Sequence, residues 1–175
     1  MKIKTMSLSA LFAILISISA YISIPVPSFT VSFTMQSLVI MIIGLNMPKN
    51  ISITSVVLYL LLGAVGLPVF SHGQAGLVTL FGPTGGYLFG FVLAILFMSL
   101  FKTTNFVTRY LSALIGGIII VYFCGILGLI WVLKINVINA IMIGVVPFIL
   151  FDIIKALIAA WFSTRYQTLF RRFER

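Results

Sequence analysis

The chain has 175 residues, 62% of them hydrophobic and only 7% charged, with 11 Lys and Arg against 2 acidic residues. Soluble domains average about 25% charged residues, so the composition excludes an ordinary soluble protein and points to an integral membrane protein in a lipid bilayer. The net charge of +9 does not point to nucleic acid, because the basic residues sit at the ends of apolar runs, where the positive-inside rule puts them.

Each span needs about 20 apolar residues. The first runs over residues 6–24 and stops at Pro25 and Pro27; it is longer than a signal-peptide core and has no clean cleavage site, so it is taken as a membrane helix. A short polar loop, 28–32, leads to a second helix over 33–45, short for a full span. Asn46, Pro48, Lys49 and Asn50 form a turn before a third helix, 51–67. The uncharged loop 68–80 follows, then a fourth helix over 82–101, a polar loop 102–108 and a fifth helix over 109–133. Pro147 suits a first helical turn and disturbs an interior. Residues 135–146 are therefore expected as a loop or short helix, and the sixth helix as 147–170. The expectation is a single all-α membrane domain, residues 1–175, with six transmembrane helices.

One set of helix ends carries Lys2, Lys4, Lys49, Lys102, Arg109, Arg165, Arg171, Arg172 and Arg175, and the opposite set only Lys134. With six spans both termini lie on the basic side, which is cytoplasmic. The loops after helices one and three and the segment before helix six then face outward and can converge on one pocket. No repeat of three helices plus three, as in many secondary carriers, is visible.

The stretch PFILFDIIKALI, residues 147–158, holds Asp152 and Lys155 deep in an apolar run. A charge at the centre of a membrane helix costs about 2.5–3.5 kcal/mol on insertion scales, and intramembrane ionisable residues are functional candidates by default. Three residues apart on a helix, the two share a face. One reading is that they hold a small polar ligand; the other is a self-neutralising ion pair that only pins helices together. Gln36, beside Thr34 and Ser37, either faces the ligand or bridges helices. GPTGGY, residues 82–87, opens helix four with free N–H groups, but lacks the Gly-Lys-Ser/Thr ending of a nucleotide-binding loop. The loop before it, GLPVFSHGQAG over 66–76, supplies Ser71, His72 and Gln74 at a pocket mouth. Tyr87 and the Phe70/Phe81 pair either line that pocket or pack. His72 is the only histidine and Cys124 the only cysteine. A metal site, a disulfide or a catalytic triad is therefore not expected, and no cofactor. Ser9, Ala13 and Ser17 recur every fourth position on helix one, a small face for internal packing or for docking another membrane protein.

Taken together, GLPVF followed by GPTGGYLFGF, Gln36 in helix two, and PF–x₃–D–x₂–K ahead of the last helix resemble the biotin-specific S component (BioY) family of energy-coupling factor (ECF) transporters, over almost the whole chain. The resemblance implies a substrate-capture subunit in a prokaryotic plasma membrane. It implies capture of biotin from outside and ATP-driven uptake with a transmembrane coupling protein and two cytoplasmic ATPases. The chain has no ATP-binding motif of its own. The resemblance also implies that Ala13 and Ser17 match an AxxxA-like contact to the coupling protein, with serine a departure at the second position. Asp152 can accept from a ureido N–H of biotin; Lys155 can donate to the ureido oxygen or pair with the carboxylate. Contacts from Ser71, His72, Gln74 and Tyr87 are carried over in the same way. The rivals are an S component for another vitamin, an autonomous proton-coupled carrier using Asp152, and an intramembrane enzyme. The last would need a nucleophile and base, or a metal pair, that one histidine and one buried acid do not supply.

Overall fold

Proline, glycine and asparagine punctuate the apolar runs and set where the helices end. The computed structural model describes residues 3–24 and 31–170. Helix α1 (Ile3–Tyr21) leads into strand β1 (Ser23–Ile24), which pairs antiparallel with β2 (Phe33–Thr34), Ser23 opposite Thr34 and Ile24 opposite Phe33. α2 (Gln36–Asn46) and α3 (Lys49–Ala64) are separated at Pro48, whose missing N–H cannot continue α2's ladder. The next loop holds a 3₁₀ turn, Ser71–Gly73, and the single turn α4 (Leu77–Leu80). Then come α5 (Gly85–Leu100) and the 28-residue α6 (Phe106–Leu133), whose middle, Leu114–Ile120, is π-helical. α7 (Val137–Gly144) and α8 (Ile149–Arg165) form a pair bent by 56°, followed by α9 (Gln167–Phe170).

Several boundaries differ from the sequence expectation for identifiable reasons. Residues 23–24 and 33–34, expected to be helical, pair with each other as strands, a non-local contact. The fifth helix begins before Arg109 because the Asn105 side chain accepts from the Val107 N–H and caps it at Phe106. Residues 137–144 take the short-helix option. The sixth helix starts two residues after Pro147 and breaks after Arg165. Pro25, Pro27, residues 28–30, Lys2, Arg171, Arg172 and Arg175 lie outside the described residues.

The burial pattern is inverted relative to a soluble protein. α6 exposes Ile119, Phe123, Leu127 and Trp131 at four-residue spacing, and α8 exposes Leu150, Leu157 and Trp161. Meanwhile Gln36, Asn46, Ser52, Ser55, Arg109, Asp152 and Lys155 are buried. Such a surface fits hydrocarbon, where polar groups must be satisfied within the protein. Among the described residues α1 and α6 are each long and apolar enough to cross a membrane, and the bent α7–α8 pair makes a third; α2, α3 and α5 are shorter apolar helices. The chain is a mostly helical membrane protein.

One end of the bundle is tied by polar contacts. Asn46 Nδ2 of α2 donates to Ser163 Oγ of α8 at 2.6 Å, and Arg109 of α6 donates to Asn46 Oδ1 at 3.4 Å and to the Thr103 carbonyl at 2.6 Å. Ser9 Oγ near the start of α1 reaches the Ile51 carbonyl of α3 at 3.5 Å. These contacts gather the ends bearing Lys4, Lys49, Lys102, Arg109 and Arg165, with Lys134 at the far end of α6. Ser9, Ala13 and Ser17 are buried, and α1 packs closely on α3. Of the two readings of this face, internal packing and docking, the packing is the one visible here: small side chains let the chain's own helices approach.

Candidate functional site

At the opposite end from that polar tie, a cavity of about 700 Å³, counted out to its open mouth, lies between α2, α5, α6 and α8 under the 31–34 strap. Its lining includes apolar Phe70, Leu88, Phe91, Val121 and Phe148 and polar or charged Thr34, Ser37, Tyr122, Asp152 and Lys155.

The bend between α7 and α8 puts Asp152 in the first turn of α8 and Lys155 one turn on. They form an ion pair, Lys155 Nζ to Asp152 Oδ1 at 2.7 Å. Lys155 also donates to the Thr34 carbonyl at 2.7 Å and to Ser37 Oγ at 2.9 Å, so all three of its N–H donors are engaged. Its ammonium lies 3.9 Å from the centre of the Phe33 ring, a cation–π contact. Asp152 accepts from Ser37 Oγ at 3.2 Å on the same oxygen as Lys155, and from the Tyr122 hydroxyl at 2.6 Å on the other. The pair is therefore both internally neutral and cavity-lining.

Of the other expected residues, Gln36, Ser71 and Tyr87 line the cavity. Gln36 also bridges helices, donating to the Tyr59 hydroxyl at 2.6 Å. Tyr87 donates to the Gly144 carbonyl at 3.0 Å, and its ring is seated against Gly125, where an added Cβ would lie 2.4 Å from it. His72 and Gln74 are not lining residues. His72 has a left-handed backbone, φ 56°, and lies 2.7 Å from Ser32 Oγ and 3.5 Å from Ser23 Oγ, so it fastens the strap from outside. Nearby, the Tyr21 hydroxyl donates to the Pro68 carbonyl. Gln74 closes the turn through its backbone, accepting from Phe70 N at 3.1 Å. Phe70 lines the cavity whereas Phe81 is exposed. In GPTGGY, Thr84 and Tyr87 face the cavity, while Gly86 serves helix packing: a Cβ there would lie 2.3 Å from the Cys124 carbonyl of α6.

The residues that sequence reasoning missed are Ser32, the Thr34 carbonyl, Ser37 as a bridge between the charges, and Tyr122. Only position beside Gln36 could have signalled Ser37. Tyr122 follows the π-helical segment, whose i→i+5 turns shift the helical phase, so simple periodicity does not assign its face.

Chemically, an acidic acceptor and an ammonium donor stand side by side among apolar side chains. That arrangement suits a small, mostly apolar molecule carrying adjacent N–H and oxygen groups. Among the described residues no group of three or more His, Cys, Asp or Glu could hold a metal ion.

Comparison with known proteins bears on this geometry. Residues 1–172 match the model of the BioY family. The chain is 37% identical over 163 residues to a protein of Thermotoga maritima named "Biotin transporter BioY", covering 92% of this chain and 94% of that one. It is 36% identical over 171 residues to a "Probable biotin transporter BioY" of Pyrococcus horikoshii, covering 95% and 98%. Among solved structures it superposes with a TM-score of 0.85 and 26% identity, over 95% of this chain and 92% of the other, on the S-component for biotin from an ECF-type ABC transporter.

Proposed function

The chain belongs to the BioY family, a family of transporters and not of enzymes, and on that premise we propose that it is the substrate-binding S component of an ECF-type biotin transporter. It captures biotin from outside and delivers it for ATP-driven uptake with a transmembrane coupling protein and two cytoplasmic ATPases. In this reading it is one membrane domain of six spans in a prokaryotic plasma membrane. The short helices α2, α3 and α5 and the bent α7–α8 pair count as spans, and both termini are on the basic, cytoplasmic side.

The observation that carries the reading is the Asp152–Lys155 pair on the lining of a cavity that also presents apolar side chains. Biotin brings a ureido ring with two N–H donors and one carbonyl, an apolar thioether ring and a carboxylate tail. A ureido N–H donates to Asp152. Because every Lys155 donor is engaged, a ligand oxygen reaches Lys155 by taking the place of the Thr34 carbonyl or Ser37. The thioether ring lies on the apolar side chains, and Gln36, Tyr87 and Ser71 complete the contacts. His72 and Gln74 contribute through the strap and turn they hold rather than from the cavity wall. Docking to the coupling protein through Ser9, Ala13 and Ser17 would require α1 to part from α3, so the exposed side of α1 is the better candidate surface.

The test is binding of radiolabelled biotin to the purified, detergent-solubilised chain, followed by uptake in cells with and without a coupling protein and ATPases. Saturable binding by the chain alone, with accumulation against a gradient only when the partners are present, is expected. Absence of binding by folded protein would falsify the biotin assignment and direct a screen of other vitamins. Uptake without partners, abolished by collapsing the proton gradient, would favour an autonomous carrier.

A further inference from the structure

The carboxylate of Asp152 has about four lone-pair directions. Among the described residues, Lys155 and Ser37 occupy Oδ1, and the Tyr122 hydroxyl donates to Oδ2 at 2.6 Å. Three contacts thus hold the group, and one direction on Oδ2 is left. Tyr122 and Asp152 both line the cavity. Of the three, Lys155 and Ser37 share one oxygen, Oδ1. Alone they would leave the carboxylate free to tilt about that oxygen. Tyr122 arrives from α6, across the cavity wall from α8, and fixes the second oxygen. Its approach is set by the π-helical turn just before it, a feature often found at functional sites.

We infer that Tyr122 is a positioning residue for ligand recognition: by donating to Asp152 Oδ2 it locks the carboxylate so that one acceptor direction is presented to a ring N–H of the ligand. The inference rests on the biotin reading above. Tyr122 then acts through Asp152 rather than by packing on the ligand, and it favours ligands that bring an N–H donor to that point.

Asp152 is the only aspartate in the chain, so incorporation of aspartate ¹³C-labelled at the γ-carboxyl marks one side-chain carboxylate, whose antisymmetric stretch is the infrared band followed. That band is read in the ligand-free protein, and biotin affinity is measured in parallel, for wild type and Tyr122→Phe. The expected result is a shifted Asp152 band before any ligand is added, and biotin bound about tenfold more weakly, the scale of one charge-assisted hydrogen bond. Melting in detergent serves as the folding control, and Tyr122→Leu, with the same expectations, replaces the Phe variant if that proves misfolded. An unmoved band overturns the inference even if affinity falls, since the loss then comes from packing. A moved band with unchanged affinity overturns it as well, leaving a contact without a role in binding. Wild-type protein that fails to bind biotin sinks the biotin reading instead, a result distinct from a variant that binds as well as wild type.

Discussion

The same three helices, α2, α6 and α8, are tied together by buried polar groups at both ends of the bundle. At one end Ser37, Tyr122, Asp152 and Lys155 meet; at the other Asn46, Arg109 and Ser163. Both clusters contain a buried cation in apolar surroundings, and by burial alone they would be ranked alike. What separates them is space. The first lines a cavity, whereas none of Asn46, Arg109 and Ser163 is among the residues lining that cavity. A buried charge by itself marks a helix tie; a buried charge with an open face marks a site.

The strongest way to break this distinction is to change the charge at the cavity end. Asp152→Asn removes the counter-charge of Lys155 and turns one of the two accepting carboxylate oxygens into an NH₂ donor. With hydrogen bonds to charged groups contributing about 1.5–3 kcal/mol each, biotin affinity should fall about 100-fold or more. Lys155→Ala should weaken binding on the same scale, and it should lower the melting temperature as well, because Asp152 is left buried without its counter-charge. Retention of wild-type affinity in either variant would reduce the pair to a helix tie like the one at the other end.

Arg109→Ala is the matching change at the basic end. It strips the Thr103 carbonyl and Asn46 Oδ1 of a donor, at a cost of about 1–3 kcal/mol for buried groups left unsatisfied. Thermal melting in detergent should drop while biotin affinity stays within about threefold, since additivity holds for sites without shared partners. A large loss of affinity would mean that the two ends are coupled through α2, α6 and α8.

Gly144→Ala probes the cavity end without touching a charge. A Cβ at residue 144 would lie 2.2 Å from the Tyr87 hydroxyl, so Tyr87 must swing away and lose its bond to the Gly144 carbonyl. Overpacking of this kind costs about 1–3 kcal/mol, and biotin binding should weaken roughly tenfold. Unchanged affinity, measured by the same radioligand assay, would remove Tyr87 from the ligand's surroundings.

The two ends also differ in how far the sequence announced them. Asp152 and Lys155 stood out because charges in an apolar run are expensive, and their three-residue spacing put them on one face. Pro147 located the break before α8 to within two residues. Arg109, by contrast, read as an ordinary basic residue at a helix end, and its burial depends on Asn46 and Thr103, 63 and 6 residues away. The Thr34 carbonyl has no side-chain signature at all, and the β1–β2 pairing that holds its strap in place is non-local. Tyr122 lay hidden because the π-helical turn before it shifts the phase of α6. His72, expected at a pocket mouth, lies just outside the lining and is bonded to Ser32, which does line the cavity.

The smallest and sharpest comparison is between two serines, Ser37 in the cavity-end tie and Ser163 in the tie at the other end. Each is a buried or half-buried hydroxyl engaged by a side chain from another helix. Ser37 Oγ donates to Asp152 and accepts from Lys155, so it lies between the two charges. Ser163 Oγ accepts from Asn46 Nδ2, which also donates to the Ile42 carbonyl at 2.7 Å and so keeps a partner when the serine is gone. Ser163→Ala removes a neutral hydrogen bond worth about 0.5–1.5 kcal/mol, and Ser37→Ala removes bonding to charged groups on the scale of about 1.5–3 kcal/mol. For Ser163→Ala that loss should appear only as a slightly lower melting temperature. For Ser37→Ala it should appear as a severalfold weaker affinity for biotin, because the freed Lys155 and Asp152 no longer share a fixed bridge. Equal, purely thermal effects from both would mean that the carboxylate and ammonium hold their geometry without Ser37, and that the site is set by α8 and Tyr122 alone.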